Sequence, residues 1–477
     1  MVITIHPSAA RLTGDYDHAA LDAYLSYMAP GYQFNDAFKR KRWDGRVRLL
    51  TRRGEFPVGL VARVAEWFEG KGEEVVIDNR LPKPPGYETK KVYATLRDYQ
   101  QDAVYAALEN VRGILQLATG AGKTNVAAGI IDALDRPSIL LVHTKDLMYQ
   151  AVERFKALLG PENVGMLGDG QYIPGRYLVA TMQTTCNLLG VPYEVAADEG
   201  KTEDRGPANS LGHMITTMRP DILNREVIII DECQHAACET MQTIVKDLKH
   251  ASYVIGLSAT PWRDDGKDLD MEGVLGQVIY QISASQLIKM GHLMAPEIKC
   301  VEIEKEPDLD DADYPTLYKL QIVENPERNR FIGKLAHQNK KQGRKLQLII
   351  VRQLKHVDLL MKALRPRQLV AVSLTGKEPG NIRQDKLNLA KAGAVDVIVA
   401  TTVADEGLDL PMLDTVILAG GGKSTARALQ RVGRAIRKYP NKLQPLVFDL
   451  FDANLPSQCN ARYNAYRTEE GYKVIRI

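Results

Sequence analysis

Long apolar runs are what this sequence most conspicuously lacks. No stretch approaches the ~20 consecutive apolar residues of a membrane-spanning helix, so no membrane partner is expected. The opening, MVITIHPSAARLTG, has neither the basic lead nor the apolar core of a secretory leader, which sets a cytoplasmic expectation. Cysteine is scarce: Cys186, Cys233, Cys238, Cys300 and Cys459 are odd in number and mostly far apart. That argues against a disulfide framework and for a reducing compartment. Charge of one sign is missing as well. With 62 Lys and Arg against 59 Asp and Glu, the net charge is +3, and a polyanionic partner would have to be met by local patches. Low-complexity tracts and short-period repeats are absent, while 45% apolar and 25% charged residues are ordinary for a globular protein.

What is there begins with length. At roughly 150 residues per domain, 477 residues predict about three domains. The first joint is the proline-rich Leu81 to Gly86, which neither helix nor central strand can cross, and it reads as a linker. Upstream, strand-like pieces (Val2 to Ile5, Val47 to Thr51, Glu74 to Ile77) and helix-like ones (Asp17 to Met28, Val58 to Lys71) suggest a small α+β module, residues 1–92 with the linker. Downstream, short β-branched runs alternate with amphipathic segments: Gly113 to Leu117, Ser138 to Val142, Tyr177 to Ala180, Val227 to Ile230 and Tyr253 to Leu257. The rhythm recurs in Leu346 to Val351, Val370 to Leu374, Val395 to Ala400, Thr415 to Ala419 and Pro445 to Leu450, after an acid- and Pro-rich stretch near Glu302 to Pro315. This is the pattern of an α/β chain with two tandem parallel-sheet domains, 93–282 and 283–477. The polar stretch 187–225 is long for a connection and reads as a surface insertion.

The strongest local signal is Leu117-Ala118-Thr119-Gly120-Ala121-Gly122-Lys123-Thr124, between a strand-like and a helix-like run. Glycines there let backbone N–H groups turn around phosphate oxygens at a helix N-terminus. Thr119, Gly120, Gly122, Lys123 and Thr124 are therefore candidate ATP ligands, with Lys123 reaching the phosphates and Thr124 holding Mg²⁺. Leu117 stands where the usual motif has its first glycine. About a hundred residues on, Asp231-Glu232-Cys233-Gln234 leaves a buried strand, and two adjacent carboxylates there call for a cation. Asp231 is assigned to Mg²⁺ and Glu232 to activating a water. A zinc site on Cys233, His235 and Cys238 lacks a fourth ligand and a known knuckle spacing. Farther on, Gln430, Arg434 and Arg437 are spaced to share one helical face and to act as a Gln and two arginine fingers on the γ-phosphate.

In this order and spacing the motifs resemble those of superfamily 2 helicases, from about residue 94 to 440, and imply two RecA-like domains. By that resemblance Arg97 and Gln100 belong to the adenine-reading element, and Thr144, Lys145, Thr181, Gln183, Arg352, Thr401 and Thr402 hold nucleic acid. Ser258-Ala259-Thr260 matches the motif that follows the acidic pair, and Gly407 and Asp409 join the nucleotide ligands. The loop Thr260-Pro261-Trp262-Arg263-Asp264-Asp265 resembles that of DNA helicases related to XPB, RadD and the phage recombination helicase UvsW, with Arg263 at the duplex-opening triplet. Length, a small basic N-terminal module and a compact ending look most like the UvsW group. In that module Lys39, Arg40, Arg42, Trp43, Arg46 and Arg48 form a basic run with an aromatic inside it, the chemistry of sequence-independent DNA grip.

The resemblance implies an ATP- and Mg²⁺-dependent 3′–5′ DNA helicase or translocase acting on single-stranded and branched DNA: forks, D-loops, Holliday junctions, R-loops with their RNA–DNA hybrids. Recombination or replication proteins are the expected associates, with no oligomer required. The alternatives are an RNA helicase or remodeller on the same motor, or the motor subunit of a restriction complex. A non-hydrolysing nucleotide-dependent module is disfavoured by the presence of Glu232 and both arginines.

Overall fold

The computed structural model describes residues 1–6, 9–81, 86–191, 212–235, 238–261, 267–304, 313–401 and 410–477. The chain forms two compact units, one of Met1–Leu117 with Gly122–Gln281, the other of Ala118–Ala121 with Ile282–Ile477. Among the described residues no helix is long and apolar enough to cross a membrane.

The first unit opens with the α+β module. Val2–Ile5 pairs antiparallel with Ala10–Thr13 and parallel with Val76–Asn79, and Glu55–Phe56 adds the outer edge. Helix Val61–Glu69 seals this sheet with Val64, Ala65 and Phe68, which join Ile3, Leu12 and Phe56 in one buried cluster. Beside it, Ser26–Met28 pairs antiparallel with Arg46–Arg48. The helix expected to run to Met28 therefore stops at Tyr24, because Ser26–Met28 is taken by this ribbon. The module is not merely tethered. Arg63 makes a two-pronged ion pair with Glu272 (2.7 and 2.6 Å), Tyr27 donates to Asp270 (2.5 Å), and Leu269 joins the module's apolar cluster. Helix Asp268–Leu275, which supplies all three partners, belongs to the α/β part of the unit. The proline segment 82–85, read as the linker, lies outside the described residues.

That α/β part is an eight-stranded sheet in the order 171–173, 164–168, 177–181, 138–142, 227–231, 253–258, 112–117, 278–282. Strands Val164–Gly168, Tyr177–Thr181, Ser138–Val142, Val227–Asp231, Tyr253–Ser258 and Arg112–Leu117 run parallel, and most of their residues are buried. That is why they read as continuous apolar runs. The 187–225 stretch corrects the surface reading where it is described: Met218 and Ile222 of helix Gly212–Leu223 are buried in the core, and Arg225 is 1% exposed. The Arg225 guanidinium donates to the carbonyls of Ser138, Gly175 and Arg176, tying helix Gly212–Leu223 to the starts of two neighbouring strands.

The second unit holds a seven-stranded, all-parallel sheet in the order 371–374, 397–400, 347–350, 415–418, 446–452, 297–303, 473–476. Its last two strands were not legible in the sequence. Glu297–Ile303 alternates charged and apolar residues, yet lies between two partners with Ile298 and Cys300 fully buried.

Candidate ATP and nucleic-acid sites

The P-loop follows strand Arg112–Leu117 and ends in helix Lys123–Leu134. Gly120 (φ 88°) and Gly122 (φ 84°) occupy left-handed backbone, and a Cβ on Gly122 would lie 2.5 Å from the Gln100 amide nitrogen. Only glycine fits there. Gln100, 3% exposed, thus sits against the loop, while its Oε1 accepts the Arg97 N–H (3.1 Å) at the start of helix Asp98–Asn110.

The acidic pair leaves strand Val227–Asp231 at the same carboxyl edge of the sheet, with strand Tyr253–Ser258 between it and the P-loop strand. Open parallel sheets place their ligands at this edge. Glu232 sits at φ 47°, a backbone conformation uncommon for residues other than glycine and frequent at functional sites. Its carboxylate does two things: Oε1 takes the Lys123 ammonium in an ion pair, and Oε2 accepts from the Gln234 amide (2.9 Å). Gln234 Oε1 accepts from Ser258 Oγ (2.6 Å), which itself accepts the Thr260 N–H (3.0 Å). Ser258 is fully buried. Burial alone would push the Lys123 pKa down, but Glu232 and Asp231 together hold it above its ordinary 10.5. The result is one hydrogen-bonded line from Lys123 through Glu232 and Gln234 to Ser258 at the end of the next strand. Gln234 and Ser258 were not among the candidate site residues; their only sequence signal was membership of the motifs that hold Glu232 and Thr260. Thr124 and Asp231 offer only oxygen donors, the set that suits Mg²⁺. The neighbouring Cys233 is a buried thiol whose pKa burial pushes up; the side chains of His235 and Cys238 lie outside the described residues.

The other predicted contacts separate into exposed and structural. Thr144 caps helix Lys145–Leu159 by accepting the Leu147 N–H (3.3 Å), and Thr181 caps Met182–Leu189 by accepting the Thr184 N–H (3.4 Å) while donating to Thr184 Oγ1 (2.8 Å). Both hydroxyls do local structural work. Lys145 pairs with Asp169 (2.5 Å) yet keeps most of its side chain exposed, and Gln183 is half-buried. In the second unit Thr401 is buried, and Arg352 lies over the Tyr318 ring (5.7 Å from its centre). Arg263, Thr402, Gly407 and Asp409 lie outside the described residues.

Helix Thr425–Ala435 of the second unit carries Gln430 and Arg434, the latter 8% exposed. Arg437 does not extend that helical face. The helix ends at Ala435, and the backbone turns into a bridge between Arg437 and Leu293, with Met294 N–H donating to Ile436 (2.8 Å). Backbone pairing with a distant segment has overridden the helical spacing. Inside this unit, Ala118–Ala121 meets the same helix, and a Cβ on Gly433 would fall 2.5 Å from Thr119 Cβ.

In the N-terminal module the basic run divides. Arg48 is spent on Asp22 (2.8 Å) and Asp44 (3.0 Å), and Asp44 in turn is held down to about 2, chiefly by that bond. Arg46 donates to Ser26 (3.1 Å), and the half-buried Trp43 donates its indole N–H to the Arg46 carbonyl (2.9 Å). Lys39, Arg40, Lys41 and Arg42 are exposed, and no ion pair holds them among the described residues.

Comparison with known proteins adds three family matches along the chain. Residues 10–78 match the N-terminal domain of DNA helicase UvsW, 93–263 the res subunit of type III restriction enzymes, and 327–439 the helicase conserved C-terminal domain. The chain is 24% identical over 483 residues to the ATP-dependent DNA helicase uvsW of Enterobacteria phage T4, covering 92% of this chain and 89% of that one. It is 28% identical over 403 residues to the DNA 3′-5′ translocase XPB2 of Sulfurisphaera tokodaii, covering 77% and 83%. A solved fragment of an HsdR subunit of a type I restriction enzyme from Vibrio vulnificus shares the fold, with a TM-score of 0.57 and 20% identity over 81% of this chain and 70% of that one. Taken in that order, the three families make the chain a superfamily 2 ATP-dependent DNA helicase that resembles UvsW and XPB.

Proposed function

We propose that the chain moves 3′ to 5′ on single-stranded DNA and remodels branched DNA (forks, D-loops, Holliday junctions, R-loops) in recombination, replication and repair. The observation that carries the motor reading is the line Lys123–Glu232–Gln234–Ser258. It ties the phosphate-binding lysine to the carboxylate that would act on water, and ties both to the end of strand Tyr253–Ser258. Bound phosphate would take over the Lys123 ammonium and release Glu232 Oε1 to orient and deprotonate the attacking water. Mg²⁺, when held by Thr124 and Asp231, supplies positive charge at the phosphate oxygens. Gln430, Arg434 and Arg437 are assigned to the charge that develops on the γ-phosphate, Arg97 and Gln100 to the adenine end. Lys145, Gln183 and Arg352 are assigned to the DNA backbone. Polarity is supported by the likeness to XPB2, and the branched substrate by the likeness to UvsW along most of the chain, N-terminal module included.

The test is ATPase stimulation by single-stranded DNA, duplex, fork and RNA, run beside Glu232→Gln. Single-stranded and forked DNA should stimulate well above RNA, and Glu232→Gln should lose about 10² or more of turnover with nucleotide affinity kept. RNA as the stronger activator would make this an RNA remodeller. Undiminished turnover in Glu232→Gln would remove the carboxylate from its role.

A further inference from the structure

The aromatic nearest the basic run in sequence, Trp43, is engaged within the module: its N–H is bonded and its ring half-buried. Tyr32 and Phe38 pack edge to face on one another at 4.8 Å. Phe34 is different. It is 74% exposed and makes no ring contact among the described residues. A short turn holds it out: Gly31 in left-handed backbone (φ 69°) starts the single turn Tyr32–Phe34, which Phe34 N–H→Gly31 O (2.9 Å) closes. Asn35 then caps Asp36–Lys39 by accepting the Ala37 N–H (2.8 Å), so one helical turn, with the exposed acid Asp36 at its start, separates Phe34 from the unpaired cations Lys39, Arg40, Lys41 and Arg42. Asp44, the acid that follows them, is already committed to Arg48.

An exposed ring presented by an ordered turn beside uncompensated cations matches one kind of polymer, in which flat π faces alternate with phosphates. A protein partner would need a wider apolar surround than one ring between half-buried neighbours. We propose that Phe34 is the base-stacking residue of the module: its ring covers an unpaired nucleobase at a DNA junction while Lys39, Arg40, Lys41 and Arg42 neutralise adjoining phosphates. This rests on the reading that the module grips DNA. It places the nucleic-acid aromatic at Phe34 in place of Trp43.

The experiment uses the full chain and a fork carrying 2-aminopurine at the branch point, with binding followed by fluorescence across a salt series. Phe34→Ala should weaken fork binding about tenfold, within the five- to hundredfold range that stacking contributes. It should abolish the aminopurine signal and leave the salt slope unchanged, because the cations that meet phosphate are all still present. Phe34→Leu should behave like Phe34→Ala, and Phe34→Trp should restore affinity and signal. ATPase at saturating single-stranded DNA should hold in all three. Wild-type affinity and signal in Phe34→Ala, or full rescue by Leu, overturns stacking. The double variant Arg40→Ala with Arg42→Ala separates the two levels. If it weakens binding and flattens the slope while Phe34→Ala does neither, the stacking inference alone falls. If neither variant moves fork binding, DNA grip by the module falls with it.

Discussion

The basic turn Lys39 to Arg42 and the strand Leu446–Asp452 use charge in opposite ways. In the turn, four cations adjacent in sequence stand exposed and, among the described residues, unpaired. On the strand, buried Asp449 and Asp452 each receive an arginine from a different helix, 13 and 124 residues away in the chain. Arg328 meets Asp452 (2.8 Å) from helix Pro326–Lys341, and Arg462 grips Asp449 (2.8 and 2.9 Å) from helix Pro456–Thr468, with the Tyr466 hydroxyl donating to the same carboxylate (2.8 Å). Arg462 also holds the carbonyl of Gly422, in the loop that enters the Gln430–Arg434 helix. Crowded charge in sequence leaves an exposed, uncompensated surface; charge that converges in space from separate elements fixes the architecture of the second unit.

The largest expected contrast is in stability. Arg462→Ala leaves Asp449 buried and unpaired and should cost about 3–5 kcal/mol, read as an early transition of the second unit in urea. A loss below about 1 kcal/mol would mean that water replaces the arginine and the contrast is only apparent. Acid should expose a second buried group of that unit. His356 is fully buried, bonded to Asn329 (2.9 Å), and burial, helped by Arg328, lowers its pKa from 6.5 to about 3. Between those values the unfolded chain binds the proton that the folded chain refuses. Stability present above pH 6.5 is therefore lost as pH falls toward 3, by up to about 1.4 kcal/mol per pH unit. Urea midpoints at pH 7.5, 6 and 5 should show it, and His356→Gln should flatten the trend; an unchanged trend in that variant removes His356 as the cause.

Between the extremes lies the line at the ATP site, half-buried at Lys123 and Glu232 and buried at Gln234 and Ser258. Ser258→Ala removes the hydroxyl that donates to the Gln234 carbonyl and should cut DNA-stimulated turnover about tenfold, with smaller change in nucleotide affinity. Equal loss in both would assign Ser258 to folding alone. The smallest stability effect belongs to the basic turn: Arg40→Ala with Arg42→Ala should stay within about 0.5 kcal/mol of wild type. The salt dependence of fork binding should nonetheless fall by about 0.9 in log–log slope for each phosphate no longer neutralised. Arg48→Ala, whose guanidinium is already engaged by two aspartates, should leave the slope alone.

Sequence legibility follows the same divide. The buried parallel strands Ser138–Val142, Val227–Asp231 and Val397–Ala400 were readable because burial on both faces demands continuous apolar runs. Glu297–Ile303 and Lys473–Arg476 were not, since strands toward a sheet edge keep charged residues. The P-loop and acidic pair were readable from fixed spacing. The end of the Gln430–Arg434 helix before Arg437 was decided by a bridge to Leu293, and the capping work of Thr144 and Thr181 by helix starts that local motif matching does not separate from ligand contacts. Phe34 carried no signal of its own: with Tyr32 and Phe38 close by in sequence, it becomes informative only when those two are seen to pack on one another and it does not.

The two-pronged Arg63–Glu272 pair and the Tyr27–Asp270 bond have a mechanical meaning. Any pull that DNA exerts on the accessory module is borne at its root by helix Asp268–Leu275, the element that follows the Arg263 loop in the chain. Tension on the module therefore reaches this helix through two polar contacts and one apolar one. A motor built this way carries its load cell on its own frame.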